Sequence, residues 1–190
     1  MRRTDRRRHG RSRGAVAVEM AIGLTLLASL VFGVIEMGRG LRSSQDLTEA
    51  ARAGARTVAA LPRVDDYEIA AADAVAAALL DDGTDIEPQL LTIYRADDTT
   101  GDPTNGTYTS CSNCWRFEWD DVNEEWDSLG SATWDAADME ACGDEVHTDY
   151  VGVWVQGRHE FVTTIVTFDM DIDARVTMRL EPLIGSSSCR

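Results

Sequence analysis

The sequence has no lysine: all 18 basic residues are arginine, and only three histidines and four cysteines accompany them in 190 residues. The missing lysine reads as a bias of composition rather than a functional choice. The scarcity of imidazole matters more. Only His147 and His159 lie beyond the first fourteen residues, and no serine or cysteine stands in a nucleophile signature. Catalysis therefore has little to draw on, and no enzyme activity is expected.

Basic residues are also scarce outside the N-terminus. Arg2, Arg3, Arg6, Arg7, Arg8, Arg11 and Arg13 face a single acid, Asp5, in positions 1–14, a net of +6; the remaining eleven arginines face 32 acids, a net of −21. A split this sharp marks a terminal targeting segment. The acidic body would repel phosphates, which argues against nucleic acid as a partner.

The cysteines, Cys111, Cys114, Cys142 and Cys189, are even in number and all lie in the C-terminal half. That pattern suits disulfides in an oxidising compartment. Cys111-x-x-Cys114 also has metal-ligand spacing, but no second such pair and no nearby pair of histidines completes a zinc site. Of the three possible pairings, a local Cys111–Cys114 bridge with Cys142–Cys189 is preferred. Asp120-x-x-Asn123-Glu124 is a weak calcium pattern, and acids such as Asp97-Asp98 and Asp120-Asp121 suit solvated loops better. No metal and no cofactor is expected.

Against these absences stands one long apolar run. Residues 15–38 read AVAVEMAIGLTLLASLVFGVIEMG, uncharged from Met20 to Ile35. At about 1.5 Å per residue the run makes roughly 36 Å of helix, enough for a hydrocarbon core of about 30 Å. No amphipathic stripe marks it as a core helix. A removable secretory signal is the nearer competitor, but the run is longer than usual for one, and Glu36-Met-Gly-Arg39 closes it instead of an Ala-x-Ala site. A retained single span is expected, with the arginines holding the N-terminus in the cytoplasm and the body exported.

Beyond it, Leu41, Leu47, Ala50, Ala51, Gly54, Ala55, Val58 and Leu61 approximate a helical stripe that Pro62 ends, so residues 39–61 extend the spanning helix. Asp65-Asp66 caps a second, alanine-rich helix over residues 67–80. Branched and alternating residues then predict strands at 86–94, 115–119 returning toward Trp126, 150–156 and 172–180; residues 97–113 form an exposed loop, and 161–168 are helix or strand. The fold class is α+β: one N-terminal transmembrane helix running into a head, residues 62–190, with three to five mostly antiparallel strands. Trp115, Trp119, Trp126, Trp134 and Trp154 are read first as core and second as a binding patch.

Gly14-Ala-Val-Ala-Val-Glu19 is the most informative hexapeptide. A basic leader ends in glycine, the apolar helix starts at once, and a carboxylate sits five residues on, where a charge inside a span costs about 2.5–3.5 kcal/mol. With Phe32-Gly-Val-Ile-Glu-Met-Gly-Arg39 and Leu47-Thr-Glu-Ala-Ala-Arg-Ala-Gly-Ala-Arg56, it resembles the type IV pilin superfamily, specifically the TadE-like minor pseudopilins of tight-adherence (Tad/Flp) pilus systems. Tyr150-Val-Gly-Val-Trp-Val155 and Thr177-Met-Arg-Leu-Glu-Pro182 also resemble the ends of such proteins. Thr25 stands where relatives commonly carry proline, and Met20 where they often carry phenylalanine.

The resemblance implies a pilin-like head and cleavage of the leader, residues 1–14, by a membrane prepilin peptidase between Gly14 and Ala15. It further implies pairing of Glu19 with a neighbouring subunit's terminal amine. The implied partners are the membrane, the peptidase, other pilin and pseudopilin subunits and the Tad assembly platform, in the service of pilus assembly and adhesion. Glu36 and Arg39, at i and i+3, are read as an interfacial anchor or an ion pair. A membrane-anchored adhesin that uses the tryptophan-rich region 115–134 is the alternative.

Overall fold

A computed structural model describes residues 9–80, 86–130, 132–142, 148–159, 161 and 169–183, with backbone alone for 9–13. Helix α1 runs unbroken over His9–Ala60, about 78 Å at the usual rise. Helical backbone therefore enters the leader at His9, and no break separates the expected span from its extension. Pro62 stops the helix as expected, because a proline cannot donate to the preceding turn. The chain reverses through Arg63 and Asp66, both at positive φ. Asp66 then offers its backbone carbonyl to Ile69 and Ala70, and α2, Tyr67–Leu80, returns along α1.

A five-stranded antiparallel sheet packs on this helix pair. Its strands are β1 (Ile86–Ala96), β4 (Cys114–Asp120), β5 (Glu125–Ser128), β6 (Tyr150–His159) and β7 (Met170–Arg179), in the order β5-β4-β1-β6-β7. A two-residue hairpin, β2 (Gly106–Thr107) with β3 (Ser110–Cys111), lies within the polar loop that sequence alone left irregular. Pairing of β1 with β6 shifts register between Pro88 and Leu90, where the proline has no N–H for the ladder. The expected element over 161–168 lies, except for Phe161, outside the described residues.

Alternation sorts the side chains into two layers. Leu91 and Ile93 of β1, Phe117 of β4, and Val151, Val153 and Val155 of β6 face Leu47, Ala50, Ala51, Ala55 and Val58 of α1 and Ala71, Val75 and Leu79 of α2. Tyr94, Trp154 and Ala96 face the opposite way, under the loop that carries Tyr108. Gly152 is required there, since a Cβ on it would sit 2.1 Å from the Tyr94 ring.

The strand registers also give the head two ends. Ile86 pairs with His159, and His159 with Met170, while Ala96 and Tyr150 pair at the far end, where Glu181 donates its N–H to Ala59 at 2.8 Å. Bare helix leaves the head at the His159 end. Because β4 runs antiparallel to β1, with Leu90 opposite Glu118, the turn from Asp120 to Glu125 belongs to that same end.

Candidate assembly and anchoring site

From Gly14 to Ile35 every residue of α1 is exposed within the chain, then Glu36 is suddenly buried. The exposed stretch is apolar, with Val16, Met20, Ile22, Leu24, Leu27 and Leu30 each more than half accessible. It falls in a helix long and apolar enough to cross a membrane, with mean hydropathy 2.2 in its most apolar window and none of that window buried. Thr25 and Ser29 turn their hydroxyls back onto the carbonyls of Ala21 and Leu26, each at 2.8 Å. Both polar groups are thereby satisfied inside the helix, as lipid requires.

Gly14, Ala15 and Glu19 all lie on this open stretch. Glu19 sits one helical turn from Ala15, and a Cβ on Gly14 would meet nothing within 4 Å. Among the described residues nothing covers the glycine, the following alanine or the carboxylate.

Glu36 is only 6% exposed, tucked where β7 begins to cover the helix. Leu41 departs from the expected stripe and is 60% exposed; Ser43 takes the buried position instead. The Ser43 hydroxyl and Nδ1 of His159 lie 2.9 Å apart, both enclosed, and Nε2 of the same ring has no hydrogen-bond partner among the described residues. This contact fastens the helix to the end of β6 just above the bare segment. A lone histidine at a strand end carries no periodic signal, which is why sequence reasoning passed over it.

Further along, the block from Leu47 to Arg56 separates by helical face. Leu47, Ala50, Ala51, Gly54 and Ala55 are buried, while Glu49 and Arg56 are exposed and Arg52 pairs with Glu49 at the surface. Gly54 marks the closest approach: a Cβ there would lie 2.6 Å from Val75 of α2 and 3.4 Å from Val153 of β6. The small residues of this block let helix, helix and sheet meet.

Cys111 and Cys114 are joined by a disulfide with Cα atoms 5.7 Å apart, tying β3 to β4. Cys142 is also disulfide-bonded; Cys189, its preferred partner from sequence, lies outside the described residues. Among the described residues no group of three or more His, Cys, Asp or Glu is placed to hold a metal. The carboxylate of Asp120 is taken up by its own turn, accepting from the N–H of Val122 at 2.8 Å and the Asn123 amide at 2.7 Å.

The tryptophans are mostly engaged in packing. Trp134 and Trp154 are buried, and Trp115 and Trp126 pack against the core. Trp115 donates to the Tyr67 hydroxyl at 3.0 Å, which donates in turn to the Trp134 carbonyl at 3.0 Å. Burial pushes the Tyr67 phenol far up from its usual pKa, so the relay stays protonated. Trp119 and Trp126 form an edge-to-face pair, centroids 5.0 Å apart, on the outer hairpin.

A model of the family described as TadE-like protein matches residues 14–56. The match opens at the glycine of the leader motif and closes at the arginine that ends the small-residue block, so the chain is TadE-like over the segment whose residues carried that resemblance. It takes in both the bare stretch and the anchoring stretch of α1. Comparisons with curated proteins and with solved structures return no match.

Proposed function

We propose that this chain is a minor pseudopilin that acts in assembly of Tad-type pili, anchored by residues 15–38 with its head outside the cytoplasm. The carrying observation is the coincidence of the family match, residues 14–56, with a helix whose first half is bare and apolar and whose second half is locked into a head. The seven leader arginines supply the orientation, since positive charge is retained on the cytoplasmic side. Prepilin peptidase would act between Gly14 and Ala15. Cleavage leaves an α-amine one helical turn from Glu19, and in a low-dielectric bundle that amine and a neighbour's carboxylate each reward correct axial register.

Two measurements test the reading. Intact mass of the membrane-extracted protein is expected to start at Ala15 in cells with active peptidase; a Met1 terminus there refutes cleavage. Glu19→Ala is expected to be inserted and cut normally but to abolish surface filaments in a strain without the native copy. Normal filament counts with normal processing would remove Glu19 from assembly. The adhesin reading needs open aromatic rings, and Trp134 and Trp154 are buried while Trp115, Trp119 and Trp126 are half-buried.

A further inference from the structure

Where α1 leaves the head, a groove of about 570 Å³ opens between the helix and the start of β7. One wall carries Phe32, Gly33 and Met37; the other carries Phe161, Met170 and Ile172. The lining is almost wholly carbon, and the one carboxylate in it, Glu36, is itself buried.

Its position says which phase it meets. Phe32 and Gly33 belong to the exposed apolar stretch, and Met37 is 71% exposed just past it, so the mouth is continuous with the surface that the bilayer covers. Its shape says what fits: the lining follows the helix from Ser29 to Ser44, about 22 Å, opposite Phe161, Met170 and Ile172, so an extended acyl chain from the adjoining leaflet can lie along it.

We propose that this groove holds one acyl chain of a membrane phospholipid from the leaflet on the head side, seating the head on the bilayer surface. The proposal rests on the reading of α1 as a membrane span. It gives the gap beside Gly33 a purpose: a Cβ there meets nothing within 4 Å, so a larger side chain can enter the groove without disturbing the fold, and leucine is the better helix former.

The test uses the full chain in vesicles of phosphatidylethanolamine and phosphatidylglycerol that include a phospholipid with a photoactivatable acyl chain. Peptide mapping after illumination is expected to find label on Met170 and Ile172 as well as on residues 16–27 of the helix. Gly33→Leu is expected to cut the label on Met170 and Ile172 about fivefold and leave the helix label unchanged. A labelled helix with unlabelled β7, or β7 labelling that ignores Gly33→Leu, overturns the proposal. So does disulfide capture of two copies through Met170→Cys in place of lipid labelling, which would make the occupant a second chain. An unlabelled helix would instead refute the membrane span, a separate failure.

Discussion

The two halves of α1 share one backbone and obey opposite rules. Between residues 14 and 35 the large apolar side chains are exposed; between 43 and 59 the inward side chains are sealed and, Leu47 and Val58 apart, small. A large apolar residue in the first half meets only open space among the described residues, whereas in the second half the inward face has room for one at Leu47 and Val58 and little elsewhere. Apolar composition by itself therefore does not tell a core face from an assembly or lipid face. Side-chain size at the buried positions does.

The sharpest way to break the comparison is to truncate one leucine in each half. Leu47→Ala removes a fully enclosed side chain and is expected to cost about 2–5 kcal/mol. Leu27→Ala, in the bare half, is expected to leave head stability unchanged. Thermal unfolding of the full chain in detergent, followed by tryptophan fluorescence, reads the difference cleanly, because all five tryptophans lie in the head. Equal shifts for the two variants would erase the distinction.

Glycine gives the next contrast. Gly54→Leu must push Val75 aside and is expected to destabilise the head by about 1–3 kcal/mol through overpacking. Gly23→Leu meets open space and is expected to be silent in the same melt.

The smallest effect is in the head's response to acid. Hydrogen bonds to the N–H of Thr100 and then Thr99 hold Asp97 below the usual carboxylate range, the Tyr108 hydroxyl and then Arg175 do so for Asp102, and the N–H of Val122 does so for Asp120. Their contribution is present above the unfolded pKa of about 3.9 and is lost as pH falls through the lower folded values. Burial, opposed by its own backbone N–H, raises Glu68, so stability from that residue increases as pH falls through its folded pKa toward about 4.3. Melts are expected to show a slight gain on mild acidification and a loss below about pH 4, and Glu68→Gln is expected to abolish only the gain.

Much of this was legible because it is periodic or punctuated. Pro62 marks the end of α1, the alanine-rich run bounds α2, and alternation along Tyr150 to Gln156 puts Val151, Val153 and Val155 on one face, the face the structure turns to the core. What escaped depends on contacts distant in sequence. The buried stripe of α1 could not be phased without knowing where the head begins, hence Leu41 for Ser43. Nothing local announces that β7 covers Glu36. The cluster of Tyr108 stacked on Trp154, with Arg175 reaching Asp102 and the Tyr108 hydroxyl, joins a loop to two strands through contacts that no local pattern announces.

The turn between β4 and β5 sits at the end of the head from which the bare helix emerges, and it carries Asp120, Asp121, Glu124 and Glu125. With the helix in a bilayer, that turn hangs toward the lipid head groups like a negatively charged skirt. Anionic phosphates push it away over about 10 Å at 0.1 M salt, so tilting the head toward that hairpin costs more than tilting it the other way. Salt would soften this preference. Anything approaching from the hairpin side meets a fixed charge before it meets the helix, which gives the rod a front and a back.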